Sequence, residues 1–266
     1  MITFKSATEL EAMRQSSRIV ATVLGELEPL IRPGIRTRDL DLYAEKRTRE
    51  LGAVPAFKGY RGYPASVCIS VNEEIIHGIP SGRILQEGDI VSLDFGVLYE
   101  GFFSDSALTA PVGRTAPEAL KLIAAAERSF FKGLEQMKEG HRLSDISAAI
   151  QESVESEGFS VIRQFVGHGI GRSLHEEPQV PNFGAPGRGP KIRPGMTLAI
   201  EPMIAAGTYE VEILDDGWTA VTRDRRLAAH FEHTVAMTEN GPEVLSVRTA
   251  EAARPGIRVP KESPHA

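Results

Sequence analysis

The chain contains little of several features that define whole classes of protein. It has one cysteine, Cys68, among 266 residues, which excludes a disulfide framework and suits a reducing compartment. It has no run of about 18 apolar residues, and its first residues, Met-Ile-Thr-Phe-Lys-Ser, lack the apolar core of a signal peptide. We therefore expect a soluble cytoplasmic protein that is neither exported nor inserted in a membrane.

The chain also has no excess of positive charge. Its 30 Lys and Arg residues are outnumbered by 36 Asp and Glu residues, which leaves a net charge of -6. This balance favours neither nucleic acid nor anionic lipid as a partner. The densest basic cluster, Arg223, Arg225 and Arg226, is interpreted as a solvated loop. We expect no specific nucleic-acid partner and no membrane partner.

The composition is sufficient for a substantial core, since 41% of the residues are hydrophobic. Two capping boxes, each a Ser or Thr followed three residues later by Glu, predict helix starts at Ser6 and Thr115. Each long helix is followed by a shorter one, the first over about 37–51 and the second ending at Gly158. The apolar faces of the long helices contain Leu10, Met13, Val20, Leu24, Leu27 and Ile31 in the first and Leu120, Ile123, Phe130, Leu134 and Met137 in the second.

These helix pairs belong to an internal repeat. The paired positions are Gly34 and Gly140, Asp39 and Asp145, and Gly52 and Gly158, each 106 residues apart, and Gly88 and Gly195, and Asp94 and Glu201, each 107 apart. Matches in register predict one domain, 1–250, made of two similar halves, about 6–110 and 115–247. Residues 251–266 have no apolar period and are predicted to be a disordered tail. A site is expected at the junction of the halves.

Two acids of this repeat are candidates for a metal site. Asp94 and Glu201 each end a β-favouring apolar run, Ile-Val-Ser-Leu-Asp and Met-Thr-Leu-Ala-Ile-Glu. A buried carboxylate without a partner is unfavourable, and a shared divalent cation would satisfy both acids together. Asp105 joins them if Tyr99-Glu100-Gly101 turns a hairpin and brings the chain back beside Asp94.

The histidines divide into candidates of different rank. His168 lies in Gly167-His168-Gly169-Ile170-Gly171, whose glycines allow a ligand to approach closely. His77 and His175 each precede a turn, and the residues alone leave open whether they belong to the site. Glu232 stands between His230 and His233, and strand alternation is taken to point both histidines away from it. Neither flanking histidine is therefore predicted to contact a metal.

In this order and spacing, the motifs resemble those of type I methionine aminopeptidases of the short bacterial form. The resemblance covers about Ser6 to Val247. The motifs that carry it are Gly59-Tyr60-Arg61-Gly62-Tyr63-Pro64, Ser66-Val67-Cys68, Val71-Asn72-Glu73-Glu74, His77-Gly78-Ile79-Pro80, Gly167-His168-Gly169-Ile170-Gly171, His175-Glu176-Glu177-Pro178, Ile200-Glu201-Pro202-Met203, Asp216-Gly217-Trp218 and Glu232-His233-Thr234.

The resemblance implies an α+β "pita-bread" fold, in which two pseudo-symmetric halves surround a curved antiparallel sheet and a dinuclear centre. The implied metal ligands are Asp94, Asp105, His168, Glu201 and Glu232. Four oxygen donors and one nitrogen suit Mn(II), Fe(II) or Co(II), with Zn(II) also acceptable. The two divalent ions would share a bridging hydroxide, and the resemblance also allows for one monovalent cation.

The implied reaction is removal of the N-terminal methionine from nascent proteins and peptides whose second residue is small. Glu201 would be both ligand and proton shuttle, His175 would steady the carbonyl oxygen, and His77 would contact the scissile nitrogen. The positions that match the methionine pocket are Tyr60, Tyr63, Cys68 and Trp218, with Phe57 and Leu174 at positions that vary in the family. The implied partners are nascent-chain N-termini and, transiently, the ribosome, with the protein as a monomer.

Two departures from the family pattern and two alternative functions remain. Ser104 stands where many members have glycine, and Gly96 stands where some have threonine.

A prolidase-like enzyme of the same fold is one alternative, although such relatives usually have an extra N-terminal domain and only about 60 residues precede the first site segment here. The other is a catalytically silent relative that binds protein or RNA, which would be expected to have lost ligands. The 31 positions between Glu201 and Glu232 leave no room for the helical insertion of the type II branch.

Overall fold

The structure, a computed structural model, describes residues 1–251. This part of the chain contains four α-helices and fifteen β-strands. The helices are α1 (Ala7–Leu27), α2 (Thr37–Glu50), α3 (Pro117–Leu134) and α4 (Leu143–Ser156). The strands are β1 (Val54–Pro55), β2 (Cys68–Val71), β3 (Glu74–Ile76), β4 (Ile90–Tyr99), β5 (Phe102–Pro111), β6 (Ser160–Val161), β7 (Gly167–Gly169), β8 (Glu176–Val180), β9 (Thr197–Ile200), β10 (Met203–Ala205), β11 (Val211–Ile213), β12 (Ala220–Thr222), β13 (Ala228–His230), β14 (Glu232–Thr238) and β15 (Gly241–Val244).

The first capping box is confirmed and the second is wrong. The Ser6 hydroxyl accepts the Glu9 N–H, and the Ser6 N–H donates to the Glu9 carboxylate. Helix α3 instead begins at Pro117, with Ala116 as its N-cap residue and no side-chain cap. Proline favours the first helical position, so the helix starts one residue later than a Thr115 cap requires.

The predicted apolar face that follows the second capping box is confirmed in part, because Phe130, Leu134 and Met137 are buried. Leu120 is 46% exposed, whereas Ala119 and Leu122 are buried. Leu120 therefore lies one residue, about 100°, off the buried face. Ile31 and Met137, predicted on helix faces, lie beyond the ends of α1 and α3.

A nine-stranded antiparallel sheet forms the centre of the structure. Its main path is β1-β4-β5-β14-β9-β7-β8, with β2 paired to β4 and β15 paired to β14. Two small sheets, β13-β10-β6 and β11-β12-β3, flank it. This arrangement brings segments that are far apart in sequence into neighbouring strands.

The predicted hairpin between Asp94 and Asp105 is confirmed. Glu100 and Gly101 both have positive φ, 48° and 81°, and Tyr99 pairs with Phe102 across the turn. Such a two-residue turn matches the twist of an antiparallel pair. Asp94, however, lies in the middle of β4 rather than at its end, because the strand continues to Tyr99.

Each helix pair covers a core of its own. Helices α1 and α2 contribute Leu24 and Leu40 to a cluster with Leu93 and Leu108 of the β4–β5 hairpin. Helices α3 and α4 form a second cluster with the strands of the later part of the chain, which includes Phe130, Ile146, Leu198 and Val235.

The repeat positions have matching backbone conformations. The glycine pairs have positive φ at both members, namely 93° and 84° at Gly34 and Gly140, 76° and 81° at Gly52 and Gly158, and 94° and 85° at Gly88 and Gly195. Helices α2 and α4 have 14 residues each and begin 106 positions apart, at 37 and 143. These features support the predicted pair of halves.

The end of the described chain and the basic loop can be compared with their predictions. The predicted disordered tail, 251–266, lies outside the described residues except for Glu251, which is buried and hydrogen-bonded to Arg248. Arg223, Arg225 and Arg226 are exposed and pair with Glu210, Glu212 and Glu118, which is consistent with a solvated loop. Within residues 1–251, no helix is long and apolar enough to cross a membrane.

Candidate metal centre

Five consecutive strands of the central sheet each deliver one of the predicted ligands. Asp94 lies on β4, Asp105 on β5 and His168 on β7, Glu232 begins β14, and Glu201 directly follows β9. Along the path β4-β5-β14-β9-β7, these five side chains come from adjacent strands. Residues up to 138 positions apart, Asp94 and Glu232, thereby reach one place.

A cavity of about 190 Å³ lies at this place. Its wall includes every residue that the sequence nominates for the site, namely Phe57, Tyr60, Tyr63, Cys68, His77, Asp94, Asp105, His168, Leu174, His175, Glu201, Trp218 and Glu232. Sequence reasoning did not nominate four other lining residues, Arg61, Ile76, Phe165 and Val166. Two of them stand beside nominated residues, Arg61 after Tyr60 and Ile76 before His77, and Phe165 lies three positions before His168.

The donor atoms are close enough to share a metal ion. One ligand atom each from Asp105, His168 and Glu232 lies within 4.8 Å of the other two. His168 Nε2 lies 3.5 Å from Glu201 Oε1. His168 Nδ1 is 2.8 Å from the carbonyl oxygen of Gly169, to which it donates. The lone pair of the neutral ring is therefore on Nε2, which faces the acids.

The four carboxyl groups are electrostatically unfavourable as a set. Burial, followed by repulsion from neighbouring carboxylates, raises the pKa of Asp94, Glu201 and Glu232 well above their usual values. Burial raises the pKa of Asp105 to about 7. In the described part of the chain, Asp94 Oδ1, Asp105 Oδ1 and Glu232 Oε1 are buried without a hydrogen-bond partner. Divalent cations would neutralise and coordinate these oxygens, so the donor set fits such ions.

Two neutral imidazoles lie on the cavity wall beside the acids. Burial, helped by Arg61, lowers the pKa of His175 to about 4. Its Nδ1 is 2.9 Å from the Tyr60 hydroxyl, and its ring centroid is 4.1 Å from that of His168. Burial, helped by His175, also lowers the pKa of His77 to about 4.

The backbone at His77 is unusual for a histidine. Its φ is 60°, in the left-handed region that residues with a Cβ rarely adopt. The ring packs edge-on against Phe165, with centroids 5.6 Å apart. Strained backbone of this kind often occurs at functional sites.

An apolar pocket adjoins the carboxylates. The Tyr63 hydroxyl donates to the Gly78 carbonyl at 2.8 Å, and the Tyr63 ring meets Trp218 edge-on at 5.2 Å. Cys68 is buried and pairs across the sheet with Asp94. Phe57 and Leu174 are buried in the same apolar cluster. The pocket is thus lined by aromatic rings and a thiol directly beside the acids.

The structure gives physical reasons for the two departures from the family pattern. A Cβ at Gly96 would lie 2.8 Å from the Phe57 ring, so glycine there makes room for Phe57. The Ser104 hydroxyl is 2.8 Å from the Ser17 hydroxyl of α1 and 3.3 Å from Thr234 Oγ1. Thr234 Oγ1 in turn accepts the Asp105 N–H at 3.0 Å. Ser104 therefore ties α1 to the backbone that carries Asp105.

The prediction that His230 points away from Glu232 is wrong. His230 Nε2 lies 3.9 Å from Glu232 Oε2 and 3.9 Å from Glu201 Oε2. Residues two apart share a face of extended chain, so alternation puts His230 on the side of Glu232. His233, one residue from Glu232, does point away, toward Ser246 and Glu251. Burial lowers the pKa of His230 to about 3.

Comparisons with known proteins agree with this geometry. Residues 11–239 match the model of metallopeptidase family M24. A methionine aminopeptidase of Clostridium perfringens is 54% identical over 247 residues, which cover 93% of this chain and 99% of that protein. The crystal structure of methionine aminopeptidase from Thermotoga maritima has a TM-score of 0.91 at 47% identity, covering 92% of this chain and 99% of that one.

A more distant structure is informative about the fold alone. The prolidase from Pyrococcus furiosus has a TM-score of 0.76 at 22% identity, and the match covers 92% of this chain and 65% of that one. Together with the sheet described above, these matches confirm the predicted α+β pita-bread fold.

Proposed function

The chain belongs to metallopeptidase family M24 and, within it, to the short bacterial type I methionine aminopeptidases, and on that premise we propose how it selects and cleaves its substrates. It removes the initiator methionine from nascent proteins and peptides when the second residue is small. One observation carries the proposal: four acids and an imidazole share a cavity of about 190 Å³ with aromatic and apolar side chains.

The proposed metal ligands are Asp94, Asp105, His168, Glu201 and Glu232. Four carboxylates carry the charge that two divalent cations neutralise, which favours a dinuclear centre of Mn(II), Fe(II) or Co(II), with Zn(II) acceptable. Bound cations would supply Lewis acidity and a hydroxide nucleophile at neutral pH. The buried, unpartnered oxygens of Asp94, Asp105 and Glu232 support this assignment.

His175 is proposed to stabilise the carbonyl oxygen of the scissile peptide. If the Tyr60 hydroxyl donates to Nδ1, the ring proton resides on Nε2 and can be donated to that oxygen. His77 is proposed to contact the scissile nitrogen. Glu201 would help to hold a cation, and it is proposed to take a proton from the attacking nucleophile and pass it to the leaving amine.

The pocket is proposed to hold the methionine side chain. Phe57, Tyr63 and Trp218 supply aromatic faces and edges, which make favourable contacts with a thioether sulfur. Cys68 and Leu174 complete an apolar wall that suits an unbranched chain.

The expected substrates are N-termini of nascent chains in the cytoplasm, with the protein acting as a monomer that contacts the ribosome transiently.

A peptide panel tests the specificity. Met-Ala-Ser, Met-Leu-Ser and Ala-Pro-Ser are assayed with Mn(II), Fe(II), Co(II) and Zn(II) in turn, after anaerobic removal of metal. We expect methionine release from Met-Ala-Ser alone. Cleavage of Ala-Pro-Ser with Met-Ala-Ser left intact would instead indicate prolidase activity.

A further inference from the structure

His230 is held rigidly by its backbone. It ends β13, where it pairs with Met203 of β10. Its N–H donates to Thr109 Oγ1 at 2.9 Å, and its carbonyl oxygen accepts from the same hydroxyl at 2.8 Å. Phe231 alone separates it from Glu232, the first residue of β14 in the central sheet. The backbone that carries the imidazole therefore cannot shift without disturbing two sheets.

The imidazole is buried and lacks hydrogen bonds. The residue is 1% exposed, and among the described residues neither Nδ1 nor Nε2 has a hydrogen-bond partner. Nearly all buried polar side-chain atoms in folded proteins are hydrogen-bonded, so two such atoms on one ring need an explanation. Carboxylates are the nearest acceptors, with Glu201 Oε2 and Glu232 Oε2 each 3.9 Å from Nε2.

We propose that His230 is a positioning residue of the metal centre, whose Nε2–H hydrogen-bonds Glu201 or Glu232 and orients that carboxylate toward a bound cation. The inference rests on the proposed metal centre. A separation of 3.9 Å exceeds a hydrogen bond by about 1 Å, a distance that a small rotation of a glutamate side chain covers. Partners of this kind, which orient a ligand from behind, are general features of metal sites.

The geometry distinguishes this role from direct coordination. All five proposed metal ligands line the cavity, and His230 does not. It lies 3.9 Å from two carboxylates without lining the cavity, so a hydrogen-bond donor there would restrain them without occupying a coordination position.

Metal affinity tests the proposal independently of peptidase activity. Metal-free wild type, His230→Phe and His230→Gln are titrated with Mn(II) by isothermal calorimetry. His230→Phe keeps a planar ring but removes the donor, and we expect Mn(II) affinity to fall about 10- to 100-fold, as for other outer partners of metal ligands. His230→Gln retains an N–H donor and should bind within about threefold of wild type. His141→Phe, which removes an imidazole whose side chain is 39% exposed, is the matched control.

The alternative outcomes are distinct. Unchanged affinity in His230→Phe, or an equal loss in His230→Gln, would overturn the hydrogen-bonding role. If the Co(II) absorption bands of His230→Gln are displaced from those of wild type, His230 is a metal ligand, and the hydrogen-bonding role is also overturned. Wild type that binds no divalent cation would remove the proposed centre itself. The melting temperature of each metal-free variant checks folding, and His230→Met replaces His230→Phe if the latter does not fold.

Discussion

At the scale of the residue, the site consists of side chains placed where their usual chemistry is altered. Four carboxyl groups have a raised pKa, and His77, His168 and His175 have a lowered pKa, with desolvation as the largest cause in each case. Both shifts favour the neutral form of these groups over the charged form. Cations would reverse the shift of the acids and leave the imidazoles uncharged.

Glu201→Gln tests the proposed proton transfer. The change keeps the size of the side chain and removes the group that would pass a proton, so kcat should fall by about two to four decades. The fold should persist, because a buried carboxyl group is replaced by a neutral one. Steady-state kinetics on Met-Ala-Ser, with circular dichroism as a folding check, measure both effects. Glu210→Gln, at a side chain that is 53% exposed, is the control. Wild-type turnover in Glu201→Gln would contradict the role of Glu201 in proton transfer.

Gly96→Ala tests the proposed methionine pocket. The new Cβ would lie 2.8 Å from the Phe57 ring, which must move within the apolar cluster. Overpacking of this kind costs about 1–3 kcal/mol, and we expect KM for Met-Ala-Ser to rise about tenfold with a smaller change in kcat. Gly25→Ala in α1, where a Cβ meets nothing within 4 Å, is the control. Equal KM values in both variants would argue against Phe57 as a pocket wall.

At the scale of the element, the sheet determines the site and short connections hold the residues around it. The hairpin turn at Glu100 and Gly101 sets the β4–β5 register, which places Asp105 opposite Gly96 and Asp94 opposite Ala107. Strand β14 then pairs Glu232 with Ala107 on the other side of β5. A shift of one residue in either pairing would turn a ligand to the opposite face.

The N-terminal segment before α1 restrains the segment that carries His175. Lys5 is buried, and its Nζ lies 2.5 Å from Glu176 Oε2, while Thr3 Oγ1 donates to the same oxygen at 2.6 Å. The other Glu176 oxygen accepts the Ser173 N–H at 3.2 Å. Glu176 directly follows His175, so this ion pair fixes the chain on one side of the imidazole.

Lys5→Met tests this restraint. Removing the ammonium group leaves a mostly buried carboxylate, which we expect to destabilise the protein by about 1–3 kcal/mol and to increase hydrogen exchange in residues 172–176. Loss of a fixed His175 should lower kcat more than it raises KM, and Lys5→Arg should restore part of kcat. Lys58→Met breaks an ion pair whose lysine side chain is 45% exposed and serves as the control. Unaltered exchange in residues 172–176 would contradict the restraint.

At the scale of the whole molecule, metal binding and stability are coupled. The proposed ligands come from both predicted halves, so bound cations would join the two cores. The raised carboxyl pKa values mean that the folded metal-free protein holds protons that the unfolded chain releases. The lowered histidine pKa values, including about 3 for His168 and His230, act in the opposite direction.

The metal-free protein should lose stability as pH rises above about 6.5. Acids with raised folded pKa stabilise at low pH and lose that contribution as pH rises from the unfolded to the folded value. The folded pKa is about 7 for Asp105 and is raised well above the usual value for Asp94, Glu201 and Glu232. Histidines with lowered pKa oppose this loss only up to about 6.5, where unfolded histidine becomes neutral. Above pH 6.5, each proton that the folded protein retains and the unfolded chain releases should lower the free energy of unfolding by about 1.4 kcal/mol per pH unit. Thermal melts in EDTA from pH 5 to 8 measure this change.

Divalent cations should remove this pH dependence. Cations replace the protons on the carboxylates, so adding Mn(II) should raise the melting temperature most at pH 8. At a Mn(II) concentration of 100 times its Kd, the free energy of unfolding should increase by about 2.7 kcal/mol. Asp105→Asn, which removes a ligand and the group with the pKa of about 7, should show a weaker response. A metal-free protein that gains stability from pH 6.5 to 8 would contradict the proposed buried acids.

Much of the local structure could be predicted from sequence because it depends on neighbours in the chain. The Ser6 cap and the hairpin at Glu100 and Gly101 involve residues one to three positions apart, and both are confirmed. The Thr115 cap failed for an equally local reason, the proline two residues later. Ordered motifs also carried the family resemblance, which the comparisons confirm.

The sequence by itself thus determined the fold family, the candidate residues of the site and the starts of α1 and α2. The tertiary structure alone decided which side chains meet. Pairing of β14 between β5 and β9 joins segments more than 100 residues apart, and it places His230 behind Glu201 and Glu232. The Ser17–Ser104 contact likewise depends on α1 packing against β5. Such contacts follow from packing in three dimensions, which periodicity along the chain does not encode.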